Sequence, residues 1–192
     1  DFLSIGAEHL GPAANRNVNV TAVIMDNGVY GLTKGQSSPT TEFGKVTVST
    51  PLGKIENPIS PLKHYLSLGV SYIASYYSSK PRVLAKVIQE AMNHNGFSIV
   101  HVQSPCTTYN DTYDILKGKP KEGIKGIAYE IPEEHDPTSE QDATDLLSRP
   151  GIPLGLVYRN EGMSMQDRFE ELQARAPKRT NDELLDSYLL NV

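Results

Sequence analysis

The sequence predicts an α/β fold, a mostly parallel sheet flanked by helices, followed by an extended C-terminal tail. Three observations carry that reading. Apolar runs and helical patterns alternate between Val18 and Val102 in the order strand, helix, strand, helix, strand. Gly69, Pro81 and Gly96 fall at the joints between these segments rather than inside them. Beyond Cys106 the periodicity fades into a charged, proline-containing stretch.

The elements follow in order. Residues 1 to 16 read as a helix, with Leu3, Ala7, Leu10 and Ala14 at helical spacing and a weak point at Gly11-Pro12. Val18 to Met25 is rich in β-branched residues and reads as a buried strand ending in a polar, Gly-rich turn. Residues 35–59 contain Pro39, Pro51 and Pro58 and read as loop; so long a connection is usually functional or disordered. Ser60-Pro61 opens a short helix that Gly69 ends, and Val70 to Ala74 is the next strand. From Pro81, the residues Val83, Leu84, Val87, Ile88, Ala91 and Met92 form one apolar helical stripe, closed by Gly96. Phe97 to Val102 is a strand leading to Ser104-Pro105-Cys106.

Between residues 107 and 162 only Glu140 to Leu147 reads as helix. Two short amphipathic helices follow. One carries Met165, Phe169 and Leu172 behind a Ser164 cap; the other carries Leu184, Leu185, Tyr188 and Leu189 behind the capping box Thr180-Asn181-Asp182-Glu183. The expected division is an α/β part, 1–106, and a tail, 107–192, that packs on the core or on a partner subunit.

Length and composition narrow the class. A chain of 192 residues with 38% hydrophobic content fits one domain. The net charge of −5 argues against nucleic-acid binding. No apolar run approaches the ~20 residues needed to span a bilayer, and no leader is recognisable before Asp1. A single Cys excludes an internal disulfide and fits a reducing cytoplasm.

The segment from Asp26 to Ser37 carries the chemistry. In an α/β sheet, ligands gather beyond the carboxyl ends of the strands. Asn27, with Gly28 and Gly31 behind it, offers a side-chain carbonyl, a flexible backbone and little bulk. A carboxamide oxygen and a main-chain carbonyl two residues on make a compact partial site for Mg²⁺, which prefers oxygen ligands shared with phosphates. Lys34 is a compact cation suited to a carboxylate or phosphate. Taken alone, Asn27-Gly28 also fits an ordinary β-turn, Lys34 a solvated loop and Cys106 a buried structural thiol. His9 reads as a hydrogen-bonded structural residue and His64 as weak. His94, His101 and His135 form no metal-binding spacing, and Glu133-Glu134 and Glu170-Glu171 read as solvated faces.

The stretch Asp1-Phe2-Leu3-Ser4-Ile5-Gly6 with His9-Leu10, then Ala14 to Asn17, the Asn27 loop, Gly31 to Thr41, and Ser104-Pro105-Cys106 resembles the β subunit of 2-oxoacid:ferredoxin oxidoreductases. The resemblance implies a thiamine diphosphate-binding fold. In that family Asp1 follows a Gly-Asp-Gly motif expected upstream of this sequence, and Asn27 stands where the motif's second half belongs. It further implies that Asn27 Oδ1 and the Val29 carbonyl bind Mg²⁺, and that Asp1, Gly31, Leu32 and Thr33 contact the cofactor. Leu32 and Lys34 belong by the same resemblance to the substrate pocket, and Cys106 to a 4Fe–4S cluster that needs further thiolates from elsewhere. The implied activity is oxidative decarboxylation of a 2-oxoacid to its acyl-coenzyme A, with ferredoxin as electron acceptor and an α subunit as partner. Lys34 favours 2-oxoglutarate or a broad substrate range, with pyruvate as the alternative. Two other classes stay open: a non-oxidative thiamine diphosphate decarboxylase or synthase, which Cys106 argues against, and a non-catalytic α/β binding module.

Overall fold

A computed structural model describes residues 1–177 and 179–189. In chain order a 3-10 turn, Ile5–His9, leads into α1 (Leu10–Arg16), β1 (Val20–Asp26), the short strands β2 (Val29–Tyr30) and β3 (Gln36–Ser37), α2 (Pro61–Ser67), β4 (Tyr72–Tyr77), α3 (Pro81–Asn93) and β5 (Phe97–Gln103). Then come α4 (Tyr113–Lys117), β6 (Gly118–Lys119), a 3-10 turn at Pro120–Glu122, β7 (Ile124–Lys125), β8 (Ala128–Glu130), α5 (Glu140–Ser148), β9 (Ile152–Arg159), α6 (Met165–Arg175) and α7 (Asn181–Leu189).

Five strands make the central sheet in the order β1-β5-β4-β9-β8. β1, β5 and β4 run parallel, β9 is antiparallel to β4, and β8 is parallel to β9. Alternating side chains divide the core between the two faces. Ile73, Ile99 and Val157 point to the face covered by α1, α2 and α5, where Leu10, Leu62, Tyr65 and Leu146 meet them. Tyr72, Ala74, Val100 and Val102 point to the other face, where Leu84, Val87, Ile88 and Ala91 of α3 pack. Of the expected α3 stripe, Val83 and Met92 fall at its margins and stay exposed.

The structure revises several element readings. The first sixteen residues are not one helix: α1 starts at Leu10, so Gly11-Pro12 occupies its first turn, where a missing N–H costs nothing because that donor has no intrahelical partner. β1 is an edge strand rather than a buried one. Only Ile24 is buried, while Val20, Val23 and Met25 are 52%, 41% and 55% exposed. Its apolar content is that of a strand in a parallel sheet, which is normally covered on both faces. His9, read as a hydrogen-bonded structural residue, is exposed at the N-cap position of α1.

The segment after Cys106 holds more structure than expected. It adds β8 and β9 to the central sheet and α5 to the helical layer. Pro153 and Gly155 hid β9, because proline and glycine within an apolar run argue against a strand; here the register shifts opposite Ile73 and Ala74, and Gly155 takes φ 132°. α6 and α7 extend beyond the sheet. Ser164 and Asp167 form a capping box on α6, and Thr180 and Glu183 exchange backbone-to-side-chain bonds at the start of α7. Met165, Phe169, Leu172, Leu184, Leu185 and Tyr188 stay exposed, and the Leu189 side chain lies outside the described residues.

The start of the third parallel strand depends on a glycine. Asn17, left-handed at the end of α1, accepts from the Phe97 N–H at 2.9 Å and the Ser71 hydroxyl at 2.7 Å. Gly96 has φ 146°, and a Cβ there would stand 2.5 Å from Asn17 Oδ1. Gly96→Ala is therefore expected to lower stability by about 1–3 kcal/mol, read as a fall in the urea midpoint at unchanged m-value.

Candidate cofactor-binding site

The register of the parallel strands places the site. β1 and β5 pair Ile24 with His101 and Asp26 with Gln103, so the residues that follow Asp26 and Gln103 emerge side by side at the carboxyl end of the sheet. The Ser104 N–H donates to the Asp26 carbonyl at 2.7 Å and keeps the two exits together.

The Asn27 loop is built from two successive side-chain turns. Asp26 Oδ1 accepts the Gly28 N–H at 2.9 Å, and Asn27 Oδ1 accepts the Val29 N–H at 3.1 Å. Asn110 Nδ2 donates to the Asn27 carbonyl at 2.8 Å, and Lys45 Nζ donates to Asn110 Oδ1. Gly28 has φ 68°, and a Cβ there would meet Asn110 Nδ2 at 2.7 Å. Two cavities flank this loop. One of about 90 Å³ is lined by Asp1, Asn27, Val29 and Tyr30 among others. A larger one of about 220 Å³ is lined by His101, Gln103, Asn110 and apolar residues from the segment after Cys106. Asp26, Asn27 and Thr40 line both and form the wall between them.

A buried polar chain supports that wall. Tyr65 and His101 are 0% and 1% exposed, and Tyr65 Oη lies 3.1 Å from His101 Nδ1. His101 Nε2 lies 3.3 Å from Asp26 Oδ2, a close polar contact without the alignment of a good hydrogen bond. Burial works to raise the Asp26 pKa, but the His101 ring, the Thr40 hydroxyl and the Gly28 N–H outweigh it and hold the carboxyl below its usual range. Burial, reinforced by the Asp26 charge, pushes the Tyr65 phenol well above its usual value, so it stays a hydrogen-bond donor. Sequence reasoning passed over this chain because its members come from β1, α2 and β5. Only Asp26, adjacent to Asn27, carried a local signal.

The expected site residues divide into two groups. Asp1, Asn27 and Val29 line the smaller cavity together. Cys106 is half-buried in the turn after β5, and a Cβ on Gly31 would sit 3.5 Å from its Sγ and 3.3 Å from Asn27 Nδ2. The thiol thus stands against the Asn27 loop across a glycine. Leu32, Thr33 and Lys34 lie on the exposed tip between β2 and β3 and line neither cavity; Leu32 is 95% exposed. Lys34 nevertheless has φ 88°, a backbone state that bulky residues rarely adopt outside functional or tightly constrained turns.

The donors present suit a shared Mg²⁺ site. Asn27 and Val29 line one small cavity, their side-chain and main-chain carbonyls are hard oxygens, and a carboxamide oxygen that accepts one N–H keeps a second lone pair. Among the described residues no three His, Cys, Asp or Glu side chains cluster to hold a metal, so these oxygens form a partial site of the kind phosphate oxygens complete. An iron–sulfur cluster normally takes four thiolates, and the described residues offer one thiol, Cys106.

A mostly parallel sheet with an Asn-Gly loop at its carboxyl end fits one class, the thiamine diphosphate-binding domains, and the family match shows it. Residues 1–102 match the family model described as "Thiamine pyrophosphate enzyme, C-terminal TPP binding domain", and the chain belongs to that family. Within it the relatives are specific. The chain is 33% identical over 190 residues to the 2-oxoacid:ferredoxin oxidoreductase subunit beta of Saccharolobus solfataricus, covering 92% of this chain and 60% of that one. It is 41% identical over 126 residues to the 2-oxoglutarate oxidoreductase subunit KorB of Mycobacterium tuberculosis, covering 65% and 33% of the two chains. A solved 2-oxoglutarate:ferredoxin oxidoreductase from Magnetococcus marinus, with 2-oxoglutarate, coenzyme A and succinyl-CoA bound, superposes with a TM-score of 0.87 at 35% identity, over 97% of this chain and 63% of that one. The resemblance read from the motifs to the β subunits of 2-oxoacid:ferredoxin oxidoreductases is thus found again over nearly the whole chain, which spans about 60% of the length of the first of these relatives. Among the described residues no helix is long and apolar enough to cross a membrane.

Proposed function

We propose that this chain is the cofactor-binding part of the β subunit of a cytoplasmic enzyme that oxidatively decarboxylates a 2-oxoacid to its acyl-coenzyme A and passes the electrons to ferredoxin. 2-Oxoglutarate is the favoured substrate and pyruvate the alternative. The single observation that carries this reading is the meeting of oxygen donors and a thiol in one loop cluster: Asn27 and Val29 on the small cavity, with Cys106 against Gly31. The thiol beside the Asn27 loop argues against a non-oxidative thiamine enzyme.

In this reading Asn27 Oδ1 and the Val29 carbonyl hold Mg²⁺, and Asp1 and Gly31 border the diphosphate. Leu32 and Thr33 contact the cofactor from the β2–β3 tip. Bound thiamine diphosphate supplies the electron sink that decarboxylation of a 2-oxoacid requires. The protein's part is to fix the diphosphate through the metal, orient the cofactor and keep Cys106 close. Cys106 contributes one thiolate to a 4Fe–4S cluster, the others coming from residues beyond this sequence. An α subunit covers the exposed face of the loop and brings the substrate against Lys34 and Leu32. The test is anaerobic turnover by the full-length protein with its partner: 2-oxoglutarate, coenzyme A and ferredoxin should yield succinyl-coenzyme A and reduced ferredoxin. Decarboxylation without ferredoxin reduction would favour the non-oxidative class.

The tip residues give a sharper expectation. Lys34→Ala should raise KM for the 2-oxoacid or for coenzyme A while leaving kcat unchanged, the signature of lost uniform binding. If Lys34 pairs with the distal carboxylate, the loss is larger for 2-oxoglutarate than for pyruvate, which lacks that group. Equal losses point to coenzyme A, and wild-type parameters return Lys34 to a solvated loop role.

A further inference from the structure

Lys54 lies in the long connection between β3 and α2 and is only 6% exposed. Among the described residues no carboxylate pairs with it. Burying a charge in that way is unfavourable unless its donors are satisfied. An ammonium has three donors, and Nζ directs them to main-chain carbonyls of one turn: Ser38 at 3.2 Å, Pro39 at 3.4 Å and Thr41 at 2.9 Å. The lysine's own backbone is fixed as well, donating to the Lys45 carbonyl at 3.0 Å and accepting from the Gly44 N–H at 2.7 Å.

The turn that Lys54 gathers is the one that grips the Asn27 loop. Thr40 Oγ1 donates to Asp26 Oδ1 at 2.7 Å, and Thr41 Oγ1 donates to the Gly28 carbonyl at 2.5 Å. Thr41 is 1% exposed. The two hydroxyls therefore hold the residues immediately before and after Asn27, and both come from a turn whose carbonyls converge on one buried cation.

We propose that Lys54 is a positioning residue for the metal-binding loop, acting as a tethered cation that fixes the Ser38–Thr41 turn so that Thr40 and Thr41 clamp Asn27 in place. This rests on the reading of Asn27 as a Mg²⁺ ligand. It assigns a task to a loop whose length alone marked it as functional or disordered. It also explains why a lysine is buried where no carboxylate meets it.

The test compares wild type, Asn27→Ala, Lys54→Met and Lys54→Arg in the full-length protein. One readout is amide hydrogen exchange at Gly28 and Thr41 without cofactor; the other is calorimetric titration with thiamine diphosphate and Mg²⁺. Lys54→Met should speed exchange at both amides and weaken cofactor binding by about 10–100-fold, the range seen when groups that orient metal ligands are lost. If Lys54→Met fails to fold, Lys54→Arg takes its place: it keeps a cation but cannot set a compact ammonium among the three carbonyls, and should show faster exchange and weaker binding. Unchanged exchange and affinity in the folded variant would overturn the proposal, as would lost thermal stability with both readouts at wild-type values. Equal binding by wild type and Asn27→Ala would instead overturn the metal-ligand reading, while the exchange comparison still decides whether Lys54 clamps the loop.

Discussion

Cys106→Ala is expected to abolish ferredoxin reduction by the intact enzyme and to remove the 4Fe–4S absorption and EPR signals. The thiol stands across Gly31 from Asn27, and it is the one cysteine of the sequence. A cubane cluster normally takes four thiolates, so losing one should cost the cluster or its potential. Thiamine diphosphate binding should survive, because the oxygen donors on the small cavity are untouched. Full iron content and normal electron transfer in the variant would make Cys106 a structural half-buried thiol.

Asn27→Ala should lower Mg²⁺ and thiamine diphosphate affinity by about 10–100-fold or more, since loss even of groups behind the ligands commonly costs that much. The substitution also removes the acceptor for the Val29 N–H. Two effects can thus contribute, a lost ligand and a loosened turn. Asn27→Asp separates them, because a carboxylate still accepts that N–H and still offers oxygen to the metal. Recovery of affinity in Asn27→Asp with loss in Asn27→Ala assigns the effect to the oxygen donor. Unchanged dissociation constants in both would rule out the ligand role.

The Asn27 loop was readable because its signals are local. A β-branched run ending in Asn-Gly predicts a strand followed by a polar turn, and the turn forms from contacts two residues apart. The Ser164 cap and the Pro61 and Pro81 helix starts were readable for the same reason. What escaped depends on contacts far apart in sequence. Tyr65, His101 and Asp26 meet only because α2 packs over β4 and β5 and β1 pairs with β5. Lys54 reads as an ordinary loop lysine until its partners in the Ser38–Thr41 turn are placed around it. β9 carries Pro153 and Gly155, which locally oppose a strand, and only pairing with β4 and β8 overrides them. The exposed side of β1 follows the same logic in reverse: its apolar residues announce a buried strand, but burial depends on what lies beside it.

The most direct test of the central claim is to mix the full-length protein and its partner subunit anaerobically with 2-oxoglutarate and coenzyme A, and to follow oxidised ferredoxin spectroscopically. Reduction of ferredoxin that requires thiamine diphosphate, Mg²⁺ and both substrates is expected, accompanied by succinyl-coenzyme A. The reaction with pyruvate should be slower. A protein that binds thiamine diphosphate and releases carbon dioxide from these acids, yet leaves ferredoxin oxidised and forms no acyl-coenzyme A, would contradict it.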